Sequence, residues 1–160
     1  MLTLIPSAVQ TVTNPVMANL YGKGDIEGVR RVFYSTLKKS FLISAGSAAV
    51  LAVCGLYIIS FLFGELFLAS YVPLLILLPG FAISASYLAV GAALSSIGKV
   101  HIPFRISAVC VVLSIILNIL LIPTFGIAGA AIATSITCIV DFLVNMAVIN
   151  YYLKIYPINK

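Results

Sequence analysis

The chain has few charged residues for its length. Only 8% of its 160 residues are charged and 62% are hydrophobic, whereas a soluble domain has about 25% charged and roughly 45–50% apolar residues. A chain of this size cannot bury so much apolar surface in one water-soluble core. The composition therefore argues against a soluble domain and predicts a protein whose solvent is lipid.

The residue types that build catalytic and metal sites are also scarce. The single histidine is His101, and the three cysteines, Cys54, Cys110 and Cys138, have no metal-ligand spacing. With so few of these residues, neither a serine–histidine–aspartate set nor a pair of carboxylates can be assembled. We therefore expect no enzymatic activity, no metal site and no cofactor.

The sequence does contain long runs without charged residues. Lys, Arg, Asp and Glu are missing from residues 1–22, 40–64, 66–98 and 106–140. A helix needs about 20 apolar residues to cross the hydrocarbon core, whereas membrane β-strands alternate apolar and polar residues over about ten positions. The sequence therefore predicts an all-α integral membrane protein with a single transmembrane domain over 1–160. We place about five transmembrane helices, at roughly 1–20, 40–63, 73–96, 106–122 and 127–152.

Glycines and charged residues mark the helix ends. Gly22 and Gly24 interrupt the first helix, and Asp25 is a suitable N-terminal cap for the next one. Apolar residues then recur at helical spacing among basic ones, which predicts an amphipathic segment over 25–39 on the cytoplasmic side of the membrane. This segment either lies in the interface or leads into the next span.

Prolines mark further expected irregularities. Pro79 and Gly80 predict a kink in the third span. A polar turn that contains Pro103 is predicted over 99–105, and Pro123 begins a predicted tight turn over 123–126.

The basic residues predict an orientation. All nine lie in segments 23–39, 99–105 and 154–160, which five spans place on one side of the membrane. By the positive-inside rule that side is the cytoplasm. We expect a multi-pass protein of the cytoplasmic membrane with its N-terminus outside and its C-terminus inside. Nucleic acid is not an expected partner, because the charges are sparse and follow the topology.

Two motifs carry a resemblance to a known family. Residues 118–134, NILLIPTFGIAGAAIAT, resemble the pattern N-x-x-L-I-P-x-x-G-I-x-G-A-A-x-A-T of the multidrug/oligosaccharidyl-lipid/polysaccharide exporter superfamily. Residues 22–27, GKGDIE, look like the G-x-G-D-x-E loop of that superfamily. The resemblance implies the C-terminal part of a MATE-like exporter, from the second to the sixth helix of its second six-helix lobe. The N-terminal lobe would then be missing, which agrees with the unusual outside N-terminus.

The resemblance also implies a function. Within the superfamily the sequence is most similar to the polysaccharide flippases, which move lipid-linked oligosaccharides across the cytoplasmic membrane. We therefore expect a transporter fragment whose partners are the lipid bilayer, the missing lobe and a lipid-linked sugar substrate. Two alternatives remain open: a multidrug/cation antiporter of the same superfamily, and a non-transporting membrane assembly subunit.

Asp141 is the charge that lies deepest inside a predicted span. Intramembrane carboxylates are costly and usually face a cavity or a partner, so Asp141 is a candidate site for a proton, a cation or a polar head group, with Arg105 as a candidate partner. The alternative is a buried polar residue tied to neighbouring Ser, Thr or Asn side chains. Arg30 and Arg31 are candidates for contact with a pyrophosphate-linked substrate, or equally with anionic lipid.

Small residues in the last span predict close helix packing. Stripes of small residues spaced by four let helices approach closely in lipid. Two such stripes are Gly126, Ala130 and Thr134, and Gly129, Ala133 and Thr137. We also expect Asn118 and Asn145 to form hydrogen bonds between helices.

Overall fold

The structure is a computed structural model that describes residues 4–96, 98 and 101–155. In these ranges the chain forms five α-helices and one short 3₁₀ helix. The α-helices are α1 (Leu4–Gly22), α2 (Ile26–Phe63), α3 (Tyr71–Ser96), α4 (His101–Phe125) and α5 (Ile127–Ile155), and the 3₁₀ helix is Glu65–Ser70, between α2 and α3. The prediction of an all-α protein is confirmed.

Local chemistry determines the turn between α1 and α2. Gly24 has a φ of +75°, a left-handed conformation that glycine adopts without steric cost. The Asp25 carboxylate accepts a hydrogen bond of 2.8 Å from the Gly28 N–H and so caps one of the unpaired donors at the start of α2. The sequence predicts both features because each depends on residues adjacent in the chain.

α2 is longer than a membrane crossing requires. Its 38 residues extend roughly 57 Å at 1.5 Å per residue, against a hydrocarbon core of about 30 Å. The predicted amphipathic segment 25–39 and the predicted span 40–63 are therefore parts of one continuous helix. The amphipathic part extends beyond the apolar span by about four helical turns.

α4 begins earlier than the sequence indicates. A polar turn over 99–105 and a span over 106–122 were predicted, but the helix starts at His101. Pro103 is its third residue, in the first turn, where the backbone N–H groups have no partner within the helix and a proline removes no hydrogen bond. Proline was therefore a misleading loop signal at this position.

α4 also ends later than predicted. The expected turn over 123–126 is reduced to Gly126, which has a φ of +58°, because the helix continues past Pro123. The Thr124 hydroxyl donates a hydrogen bond of 3.0 Å to the Leu121 carbonyl, so this polar side chain is satisfied within its own helix. α4 and α5 consequently form a helical hairpin with one residue between them.

Four helical stretches of the described chain are long and apolar enough to cross a membrane, judged by length and composition. They are Ile26–Leu62, Glu65–Ser84, His101–Phe125 and Ile127–Tyr152. α1, which corresponds to the predicted span 1–20, is not among them, and it packs against α2 and α3. The chain is a multi-pass membrane protein.

α3 occupies the centre of the helix bundle. It packs against α1, α2 and α5, and α5 in turn packs along α4. α4 lies at the edge, where many of its large apolar side chains are exposed, including Val109, Ile119 and Leu120. Lipid tails are as apolar as these side chains, so exposure at this edge is stable in a membrane.

One cluster of buried side chains joins four helices near one end of the bundle. Met17 of α1, Val29 and Phe33 of α2, Leu94 of α3 and Ile149 of α5 are fully buried and in contact. The end contains the C-termini of α1, α3 and α5 and the N-termini of α2 and α4, and we refer to it as the basic end. The described basic side chains all belong to this half of the molecule: Lys23, Arg30, Arg31, Lys38, Lys39 and Arg105.

Candidate functional site

α4 and α5 approach each other closely just after the Gly126 turn. Gly129 is buried, and a β-carbon in its place would lie 2.6 Å from the carbonyl carbon of Leu121. Only a residue without a side chain allows this approach of the two backbones. The tight hairpin fixes how the rest of α4 and α5 align.

A groove of about 290 Å³ lies between α4 and α5. Its lining residues recur at intervals of three and four along both helices, which places them on the facing sides. Most of them are small and polar or contain sulfur. They are Ser107, Cys110, Val111 and Ser114 of α4, and Thr134, Thr137, Cys138 and Asp141 of α5.

Asp141 contributes the carboxylate of this groove. It is half-buried, and its Oδ1 accepts hydrogen bonds from Ser107 Oγ at 3.4 Å and from Asn145 Nδ2 at 3.2 Å. These contacts are of the kind expected for a polar residue tied to neighbouring serine and asparagine side chains. An ionised carboxylate accepts about four hydrogen bonds. Asp141 therefore keeps capacity for a proton, a cation or a hydroxyl-bearing ligand in the groove.

Asn145 lies one turn beyond Asp141 and orients it. Its Nδ2 donates to the backbone carbonyl of Asp141 at 2.8 Å as well as to the carboxylate. Asn145 is fully buried, and its Oδ1 has no hydrogen-bond partner among the described residues. An unsatisfied buried acceptor costs free energy, so the burial of Asn145 is destabilising by itself and its position beside Asp141 is one that packing alone does not favour.

The hydrogen bonds of Asn118 and Asn145 differ from the expectation. Both were expected to bond between helices, but both amides donate within their own helix. Asn118 Nδ2 donates to the Ser114 carbonyl at 2.8 Å, and Asn145 Nδ2 donates to residue 141. The carbonyl four residues earlier is the nearest acceptor for a short polar side chain on a helix.

The arginines predicted alongside Asp141 lie elsewhere. Arg105 is exposed on α4, and the described contacts include no ion pair between it and Asp141. Arg30 and Arg31 are exposed on α2, where the Arg30 Cζ lies 5.9 Å from the centre of the Tyr34 ring. The structure therefore does not gather the four predicted residues into one site.

The two predicted packing stripes of α5 are buried unequally. Gly126 is exposed in the turn, and Ala130 and Thr134 are half-buried, with the Thr134 hydroxyl donating to the Ala130 carbonyl at 2.9 Å. Gly129 and Ala133 are buried. The stripe that contains these two residues is the more deeply buried one, and both stripes contribute a threonine to the groove between α4 and α5.

A close crossing of α3 and α5 was not foreseen. Ser135 Oγ donates a hydrogen bond of 2.7 Å to the Ile76 carbonyl of α3, and a β-carbon at Gly80 would lie 2.7 Å from Ser135 Cα. Sequence reasoning assigned Gly80 to a proline kink and did not single out Ser135. The small size of both residues was the available signal, but it does not reveal which helices meet. Ser107 and Cys110 of the groove were missed for the same reason.

The chain is similar to known proteins over most of its length. The MatE family model matches residues 1–120. A protein of Haloferax volcanii, named as the probable low-salt glycan biosynthesis flippase Agl15, is 31% identical over 153 residues. The matched region covers 94% of this chain and 31% of that protein. No solved structure matches the chain.

These matches agree with the motifs read from the sequence. The family match covers α1, α2 and α3 and most of α4, and it includes the charged turn between α1 and α2. The relative extends the similarity across nearly the whole chain. The chain therefore belongs to the MatE family.

Proposed function

We propose that this chain is part of a transporter that moves lipid-linked glycan units across the cytoplasmic membrane. The observation that carries the proposal is the 31% identity, over 94% of this chain, to a protein named as a probable glycan biosynthesis flippase. The four apolar helical stretches support the membrane setting. The test is movement of a lipid-linked glycan between the leaflets of a vesicle that contains the complete transporter.

The transport pathway is proposed to include further membrane helices. The chain spans 31% of the length of its Haloferax volcanii relative. Transporters with two lobes work by alternating access, in which the lobes move about a shared cavity. The Asp141 groove lies at the edge of this bundle, between α4 and α5, where a second lobe would have access to it.

Asp141 is proposed to act inside this pathway. A carboxylate in a membrane groove binds either the polar part of the substrate or a proton or cation that drives transport. The same residue would support cation coupling in a multidrug antiporter, so the transported compound distinguishes the two functions. The glycan is favoured because the Haloferax volcanii relative is named as a probable glycan biosynthesis flippase.

The basic end is proposed to face the cytoplasm, because basic residues accumulate on the cytoplasmic side of membrane proteins. After replacement of the three native cysteines by alanine, Glu65→Cys is expected to react with a membrane-impermeant maleimide in intact cells. Lys23→Cys is expected to react only after the cells are permeabilised. Labelling of residue 23 but not residue 65 in intact cells would contradict the orientation.

A further inference from the structure

A second cleft, between α1 and α2, differs in chemistry from the Asp141 groove. Its volume is about 340 Å³, and α2 lines it with two cationic side chains, Arg31 and Lys39. Ser35 and Thr36, which lie between these cations in the sequence, add hydroxyl groups. The cleft therefore combines positive charge with hydrogen-bond donors, the combination that binds phosphate oxygens.

The position of the cleft along α2 places it at the height of lipid head groups. Lys39 directly precedes the uncharged run 40–64, so it lies at the boundary of the hydrocarbon core. Arg31 lies eight residues closer to the basic end, roughly 12 Å along the helix axis. The head-group layer on each side of a bilayer is about 5–8 Å thick. The head-group layer therefore lies between the height of Lys39 and the height of Arg31.

The opposite wall of the cleft is apolar. Val12 and Val16 lie one turn apart on α1 and line the cleft, with 69% and 45% of their surfaces exposed. Exposed valines beside a pair of cations match a ligand with a phosphate group and an apolar part next to it, as in a phospholipid. A soluble phosphate would use only the cationic wall.

Only two of the four cations in this part of α2 line the cleft. Arg31 and Lys39 do, whereas their neighbours Arg30 and Lys38 do not. Arg30 instead lies against the Tyr34 ring, whose hydroxyl donates to Asn150 Oδ1 of α5 at 2.9 Å. The four residues look equivalent in the sequence, but the structure separates Arg31 and Lys39, which line the cleft, from the other two cations.

We propose that the cleft between α1 and α2 binds the phosphate group of an anionic membrane lipid. Arg31 and Lys39 hold the phosphate oxygens, Ser35 donates a further hydrogen bond, and the glycerol backbone with the first acyl carbons lies against Val12 and Val16. The site is separate from the Asp141 groove and does not depend on the proposed transport function.

The test is binding of phosphatidylglycerol to the full chain in detergent, measured by native mass spectrometry over a lipid titration. Arg31→Gln and Lys39→Gln are each expected to weaken binding about tenfold, because each removes a charge-assisted hydrogen bond to the phosphate. The matched controls are Arg30→Gln and Lys38→Gln, which remove the same charges one residue away and are expected to leave the affinity within about twofold, the usual effect of an exposed charge that makes no direct contact. An equal loss in all four variants would overturn the proposal, because it would indicate attraction to the helix as a whole.

Two further measurements separate a lipid from a soluble anion. Inorganic phosphate at millimolar concentration is expected not to displace phosphatidylglycerol, because it makes no contact with the two valines. Arg31→Lys keeps the charge and is expected to bind more tightly than Arg31→Gln. Full displacement by inorganic phosphate, or equal binding by the lysine and glutamine variants, would overturn the assignment to a lipid phosphate.

Discussion

Replacing Asp141 with asparagine is expected to slow transport by the complete transporter by about tenfold to a hundredfold. Asparagine keeps the shape of the side chain and one oxygen for Ser107 and Asn145, but it removes the negative charge from the groove. Hydrogen bonds to a charged group contribute about 1.5–3 kcal/mol, and each 1.4 kcal/mol corresponds to roughly a factor of ten. The measurement is the initial rate of glycan-lipid movement in proteoliposomes.

The matched control for this prediction is Glu65→Gln. Glu65 is an exposed carboxylate at the start of the 3₁₀ helix, outside the groove, so its loss is expected to leave the transport rate unchanged. The thermal midpoint of the Asp141→Asn variant should remain close to that of the parent protein. A parent-like transport rate in Asp141→Asn would reduce Asp141 to a structural role in the α4–α5 interface.

Replacing Gly129 with alanine is expected to destabilise the α4–α5 hairpin by about 3 kcal/mol, at the upper end of the usual cost of inserting a methyl group into a packed interface. The new β-carbon would overlap the Leu121 carbonyl, and a backbone group cannot rotate away as a side chain can. The thermal midpoint in detergent should fall by roughly 6–12 °C. Circular dichroism measures this change directly and does not need the fluorescence of tryptophan, which this chain lacks.

Gly46→Ala serves as the control for the hairpin. Gly46 is in α2 and exposed, and a β-carbon there would meet nothing within 4 Å. Alanine favours helix over glycine, so this variant is expected to be as stable as the parent or slightly more stable. Equal midpoints for Gly129→Ala and Gly46→Ala would show that α4 and α5 do not meet at Leu121.

Helix ends were predictable where the signal is local. The Gly24 turn and the Asp25 cap depend on neighbouring residues and follow from the sequence. Pro103 and Pro123 were misleading, because proline often marks a loop, whereas it fits the first turn of a helix and is tolerated further along a membrane helix. The amphipathic segment was predicted either to lie in the interface or to lead into the next span, and the second alternative is the one found, because α2 continues without a break from Ile26 to Phe63.

The candidate site was predictable only in part. Asp141 was identifiable because a charge inside an apolar span is rare and costly. Its partner Ser107 was not, because the alignment of α4 with α5 depends on the close contact at Gly129. The same limit applies to α2, where the sequence contains two pairs of adjacent cations and only helix geometry shows that Arg31 and Lys39, one from each pair, share a cleft with α1.

The most direct test of the proposed function follows a fluorescent lipid-linked glycan in proteoliposomes that contain the complete transporter. We expect protein-dependent movement of the glycan between leaflets, and a marked loss of that movement in the Asp141→Asn variant. Movement no faster than in protein-free vesicles, with active efflux of a cationic drug by the same protein, would contradict the proposed glycan transport and favour a multidrug antiporter.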